Sequence, residues 1–102
     1  MEQYRSETGT LVDETRMSVH ELARACHRDI QWVTDRVGAD LLQVKNGDVM
    51  FMLFSSADLT RARRLADVES MFDANQDVAG LVVDLIEEVE RLRRALDLAR
   101  LK

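Results

Sequence analysis

The most regular apolar pattern of the chain runs from Asn75 to Lys102, where Val78, Val82, Leu85, Val89, Leu92, Leu96 and Ala99 recur at alternating steps of four and three. A mean step of about 3.5 residues is the period of a coiled-coil seam rather than of a helix lying on a globular core. The intervening positions carry charges of both signs (Asp84, Glu87, Glu88, Glu90, Arg91, Arg93, Arg94, Asp97, Arg100), so only the stripe is left to bury. A long C-terminal helix over 75–102 is expected, paired through its seam with a second copy of the chain.

Upstream the pattern predicts shorter elements. Residues 1–10 are polar without a period, and 11–17 (LVDETRM) offer a short strand, so 1–16 read as a polar tail. Ser18-Val19-His20-Glu21 is a capping box that opens a first helix, with Val19, Leu22, Ala23 and Cys26 on its apolar face. A second helix begins near Asp29, turns Ile30, Val33 and Val37 inward, and stops at Gly38 as at a left-handed cap. Two short helices so joined suggest a helix-turn-helix. Leu41–Val44 and Val49–Met52 then flank Lys45-Asn46-Gly47-Asp48, and Asn-Gly between apolar runs predicts a β-hairpin wing, since a type I′ turn needs positive φ at both central residues. Ser55 and Asp58 cap a third helix carrying Leu59, Ala62, Leu65, Ala66, Met71 and Phe72, and Asn75 caps the last. The expected class is mainly α: a winged helix-turn-helix over 17–74 with a small hairpin wing, then the coiled-coil helix.

With 102 residues, 46% of them apolar and 32% charged, the chain can bury one modest core. It has no apolar run near the length of a membrane span and no secretory leader pattern, so a cytoplasmic protein is expected. The net charge of −5 is spread along the chain, and no segment is basic. The single cysteine, Cys26, excludes an internal disulfide. His20, Cys26 and His27 are candidate metal ligands, but no other Cys or His exists to complete a shell, and a core thiol with surface histidines is the simpler reading. Carboxylate pairs such as Asp35/Asp40 or Glu87/Glu88 come without a nucleophile or a Gly-rich phosphate loop, so neither an enzyme nor a cofactor is expected. Met50, Met52 and Met71 read as core filler. Trp32 falls off the Ile30/Val33/Val37 face and is either packed against the wing or exposed as a partner anchor.

Helix, helix, wing, helix and a long heptad helix is the element order of MerR-like winged-helix domains. Within that order, Arg63-Arg64-Leu65, with Asn75 ten residues after the leucine, and Val83-Asp84-Leu85-Ile86-Glu87-Glu88-Val89-Glu90-Arg91-Leu92 resemble the CbpM-type chaperone-modulator family. Its members carry Arg-Arg-Leu, a run ending in Leu-Gly-x-Asn-x-x-Gly and a Leu-Asp-Leu-Leu-Asp-x-Ile-Glu-x-Leu helix. Phe51-x-x-Phe54-Ser55 is similar to the family's Trp-x-Phe-Asp. The resemblance covers residues 17–101; the family's two glycines fall on Asp73 and Val78, so the turn into the last helix must be built differently. A heat-shock repressor branch of the same superfamily shares the tail pattern.

The second helix separates the two branches. Asp29-Ile30-Gln31-Trp32-Val33-Thr34-Asp35-Arg36 holds two acids and one base, and a helix of net negative charge opposes binding to a polyanion. The resemblance then implies a protein partner, the J-domain of a DnaJ/CbpA-type co-chaperone, whose basic helix would meet an acidic face through Asp29, Trp32, Asp35 and Asp40 and be held inactive. The alternative is a MerR-type regulator of a stress operon, using Arg28, Arg36, Lys45 and the Arg61–Arg64 run on DNA. Set against that use, the run reads as a solvated face with ion pairs to Asp58, Asp67 and Glu69 on its own helix.

Overall fold

A computed structural model describes residues 16–44 and 53–101. They form four helices: α1 (Val19–Ala25), α2 (Ile30–Gly38), α3 (Ser56–Phe72) and α4 (Gln76–Arg100). The expected hairpin turn and its return strand lie outside the described residues. Within them, 41–44 form no strand, and the only β pairing is an isolated antiparallel bridge between Met17 and Phe54. That bridge closes with Met17 N–H donating to the Phe54 carbonyl at 2.8 Å and Phe54 N–H donating back at 2.9 Å.

All four helices begin at the predicted caps. Ser18 and Ser55 head complete capping boxes with Glu21 and Asp58, and the side chains of Asp29 and Asn75 accept from the Trp32 and Val78 amides at 2.9 Å. The helix ends differ from expectation. Gly38 is still helical and has an open surround, and the left-handed residue is Asp40, at φ 63°. His27, between α1 and α2, and Asp73, at the end of α3, also adopt positive φ (58° and 50°). Asp and His are among the few side chains that enter this region at modest cost. Asp73 thus makes, without glycine, the turn that leads to α4.

One core joins the helices. Leu22, Val33, Leu42, Phe54, Leu65 and Val83 are its largest fully buried side chains, one or more from every helix and from the two irregular segments. α3 and α4 form an antiparallel hairpin across three residues and pack against one another, with the small residues Ala62, Ala66, Ala79 and Gly80 buried. Gly80 faces the 41–42 segment closely: a Cβ at this position would stand 2.5 Å from Leu41 Cδ2, so a larger residue would make the Leu41 side chain shift.

Two expectations about the core fail. Met71 is 73% exposed and Phe72 68%, because both sit on the last turn of α3, past the point where α1 and α2 cover it. The arginine run of α3 also pairs differently. Arg61 reaches across to Asp84 and Glu87 of α4, each at 3.0 Å, and donates to the Leu41 carbonyl at 2.6 Å. Arg64 grips Glu90 with two nitrogens, at 2.6 and 3.1 Å. These pairs clasp α3 to α4 and are not made within α3, since both helices turn their apolar faces to one another and leave the longest side chains to bridge the rims.

Candidate docking surfaces

Of the four side chains expected to meet a partner, Trp32 lies elsewhere. It is 9% exposed and belongs to the core. Its indole N–H donates to Glu69 Oε1 at 2.9 Å. Arg36 stacks over the ring at 4.5 Å from its centroid, and Arg28 lies over it at 5.8 Å. Glu69 also takes two hydrogen bonds from Arg36, at 2.8 and 3.1 Å, with both side chains largely out of solvent at 13% and 12% exposure. Arg28 crosses to the Ala66 carbonyl at 3.1 Å and the Ser70 hydroxyl at 2.6 Å. Trp32 leaves the Val33 face of α2 because α3 passes on that side, with Glu69 placed to satisfy the indole. A ring already covered has little surface left to offer a partner, so Trp32 is corrected from anchor to internal tie between α2 and α3.

Asp29, Asp35 and Asp40 are exposed. Asp29 is also the N-cap of α2, and Asp35 accepts from Gln31 at 2.8 Å. The outward side of α2 consequently presents carboxylates, while Arg36, its only cation, is turned into the Glu69 pair. The same holds for the other cations that a DNA reading would use: Arg28, Arg61 and Arg64 each have partners inside the fold, Arg63 alone of them stands exposed, and Lys45 lies outside the described residues.

The second surface is α4. Ala79, Gly80 and Val83 are buried, Gly80 against Leu41, and Val82 packs against the core, so one face of the first two turns belongs to this chain's own interior. Beyond them the seam is uncovered: Leu85, Val89, Leu92 and Leu96 are each about half exposed, Ala99 is exposed, and every residue from Arg91 to Arg100 is exposed. Val78 is half exposed as well. A helix of this composition, extended past its own domain with an apolar stripe in water, is a surface built to be covered.

Cys26 is buried under α3 beside His27, Arg63 and Asp67, and burial pushes its thiol up, which keeps it protonated and unreactive at neutral pH. Among the described residues no three His, Cys, Asp or Glu side chains gather as a metal site would require. No described helix is long and apolar enough to cross a membrane. Comparison with family models, curated proteins and solved structures finds nothing that matches this chain.

Proposed function

We propose that the chain is a non-catalytic modulator that works by binding protein: a homodimer through α4, with the acidic outer side of α2 facing a basic partner. The observation that carries this reading is the inward turn of Arg28, Arg36, Arg61 and Arg64, which leaves Asp29, Asp35 and Asp40 to set the sign of the exposed surface. Affinity for DNA comes mainly from cations that replace phosphate counterions, and cations already paired with carboxylates must break those pairs first. A surface of this sign suits a partner with a basic helix.

The resemblance to CbpM-type modulators, with their MerR-like winged helix, gives that partner a specific form: the J-domain of a DnaJ/CbpA-type co-chaperone, covered so that the chaperone ATPase it stimulates cannot dock. An ATPase assay with a J-domain protein as stimulator tests the reading. The unaltered chain suppresses the stimulation; Asp29→Asn with Asp35→Lys relieves the suppression without unfolding the protein, because asparagine keeps the cap on α2. Stimulation unaffected by the unaltered chain, together with submicromolar binding to duplex DNA near physiological salt, would turn the assignment to the operon regulator.

A further inference from the structure

We propose that the last turn of α3 is the seat of a protein partner: Phe72 and Met71 take the apolar side of a basic amphipathic helix, and the acids around them take its cations. The seat rests on the protein-binding reading above and gives it the apolar anchor that α2 lacks, since none of the large exposed hydrophobic side chains lies on α2.

Phe72 is the one exposed aromatic among the described residues, 68% open, and Met71 beside it is 73% open. A ring and a thioether at adjacent positions in water are what a binding hot spot is built from: the ring fills a pocket of the partner, and the flexible methionine follows the shape around it. Both belong to α3, whereas pairing of two copies uses the stripe of α4, so a dimer made through that stripe does not call on them. Glu69, one turn before Phe72, holds Trp32 and Arg36 of α2. The seat therefore adjoins the helix whose outer side carries Asp29 and Asp35.

Charge selects the occupant. Residues 65–90 include eight acids and no Lys, Arg or His. Asp67, four residues before Met71, shares its face; Asp73 follows Phe72, and Asp77 lies in the first turn of α4. All three are exposed, and none is in an ion pair among the described residues. Arg63, the exposed cation of α3, stands eight or nine residues back, about 12 Å along the axis. An apolar pair ringed by unpaired carboxylates attracts a segment whose apolar side chains are flanked by Lys or Arg, and repels an acidic one. That sign sets aside two occupants nearer to hand. Residues 1–15 carry four acids and one base. This chain's own basic stretch, 91–100, is the far part of the continuous helix α4, about 22 Å or more from its start, and cannot fold back to the turn.

Fluorescence anisotropy of a labelled synthetic helix of leucine and lysine, titrated with the full chain, tests the seat. The helix should bind, and should fail to bind when its leucines are replaced by glutamine or its lysines by glutamate. Phe72→Ser and Met71→Ser should each raise its dissociation constant about tenfold while Trp32 emission stays unchanged, because both side chains are exposed. Asp73→Asn with Asp77→Asn should weaken binding at low salt and flatten its salt dependence. Binding that survives Phe72→Ser but is lost in Leu92→Asp would place the helix on the α4 stripe. A Phe72→Ser chain whose mass falls from dimer to monomer would give the seat to a second copy, and equal binding of the glutamate helix would remove the charge selection. Each of these overturns the inference. In the ATPase assay above, Phe72→Ser should relieve the suppression. Suppression unchanged in that variant overturns the seat and leaves the modulator reading standing; no suppression by the unaltered chain overturns that reading, and the peptide titration alone then decides the seat.

Discussion

Glu69 is the residue on which the placement of α2 turns. Its carboxylate accepts from the Trp32 indole and from two nitrogens of Arg36, all from another helix and all partly out of solvent. Glu69→Ala removes three acceptor contacts and leaves a guanidinium without its partner, and should cost about 2–4 kcal/mol. Glu69→Gln keeps an oxygen for the indole and should cost about half as much. Both effects are measured by urea unfolding, and because Trp32 is the chain's one tryptophan its emission reports the tie directly, shifting to the red in the alanine variant. Nothing in the sequence joins Trp32 to Glu69, which stand 37 positions apart. The sequence signal was half present: a tryptophan off the apolar face was read as packed against the wing or exposed to a partner, and the neighbour it has, α3, depends on the crossing of two helices, which local pattern does not encode. Cys26 behaves as its burial dictates. Its thiol is pushed up by desolvation, so the folded state gains from keeping it protonated; that contribution is complete below the unfolded thiol's ordinary range and is lost as pH rises through the folded value. At neutral pH a thiol reagent should therefore label Cys26 at the rate of unfolding and no faster.

At the scale of elements, the starts of all four helices were legible and the ends were not. A cap acts within three residues, so Ser18, Asp29, Ser55 and Asn75 announce their helices locally. Ends depend on which residue can be driven to positive φ, and here tertiary closure drove Asp40 and Asp73 there while Gly38 stayed helical. Asp73 bears two costs: an aspartate in the left-handed region, and a negative charge at a helix C-terminus. Asp73→Gly relieves both and should raise stability by about 0.5–1 kcal/mol, seen as a rise of a few degrees in the melting temperature. The arginine run of α3 shows the same limit. Periodicity found carboxylates at suitable spacing on the same helix, but the structure spends Arg61 and Arg64 on α4, and Arg64's two hydrogen bonds hold the Glu90 carboxyl below the usual carboxylate range. A group depressed in the fold stabilises above its unfolded value and loses that contribution as pH falls. Mild acid should thus loosen the α3–α4 clasp at Glu90.

For the whole molecule, α4 carries two apolar faces, one that holds the chain together and the heptad stripe, of which only Val82 packs against the core. Val83 and Ala79 are inside the core, Val82 leans on it, and from Leu85 onward the stripe is uncovered while its last ten residues touch nothing of their own chain's interior. Sequence spacing picked out the exposed stripe and passed over the core face beside it, because Ala79, Gly80 and Val83 are small or stand between charged and apolar neighbours and period alone cannot tell which face meets the chain's own interior. The division is open to a paired test. Val83→Asp places a carboxylate in a fully buried site and should unfold the chain, at a cost of several kcal/mol. Leu92→Asp places the same group at an exposed position, so the isolated domain should keep its helical content and its Trp32 emission, while an unpaired carboxylate in the seam should abolish pairing and halve the mass measured by light scattering. A chain that is already monomeric at tens of micromolar, or a Leu92→Asp variant that stays dimeric, would separate the long helix from assembly and leave the stripe to some other partner.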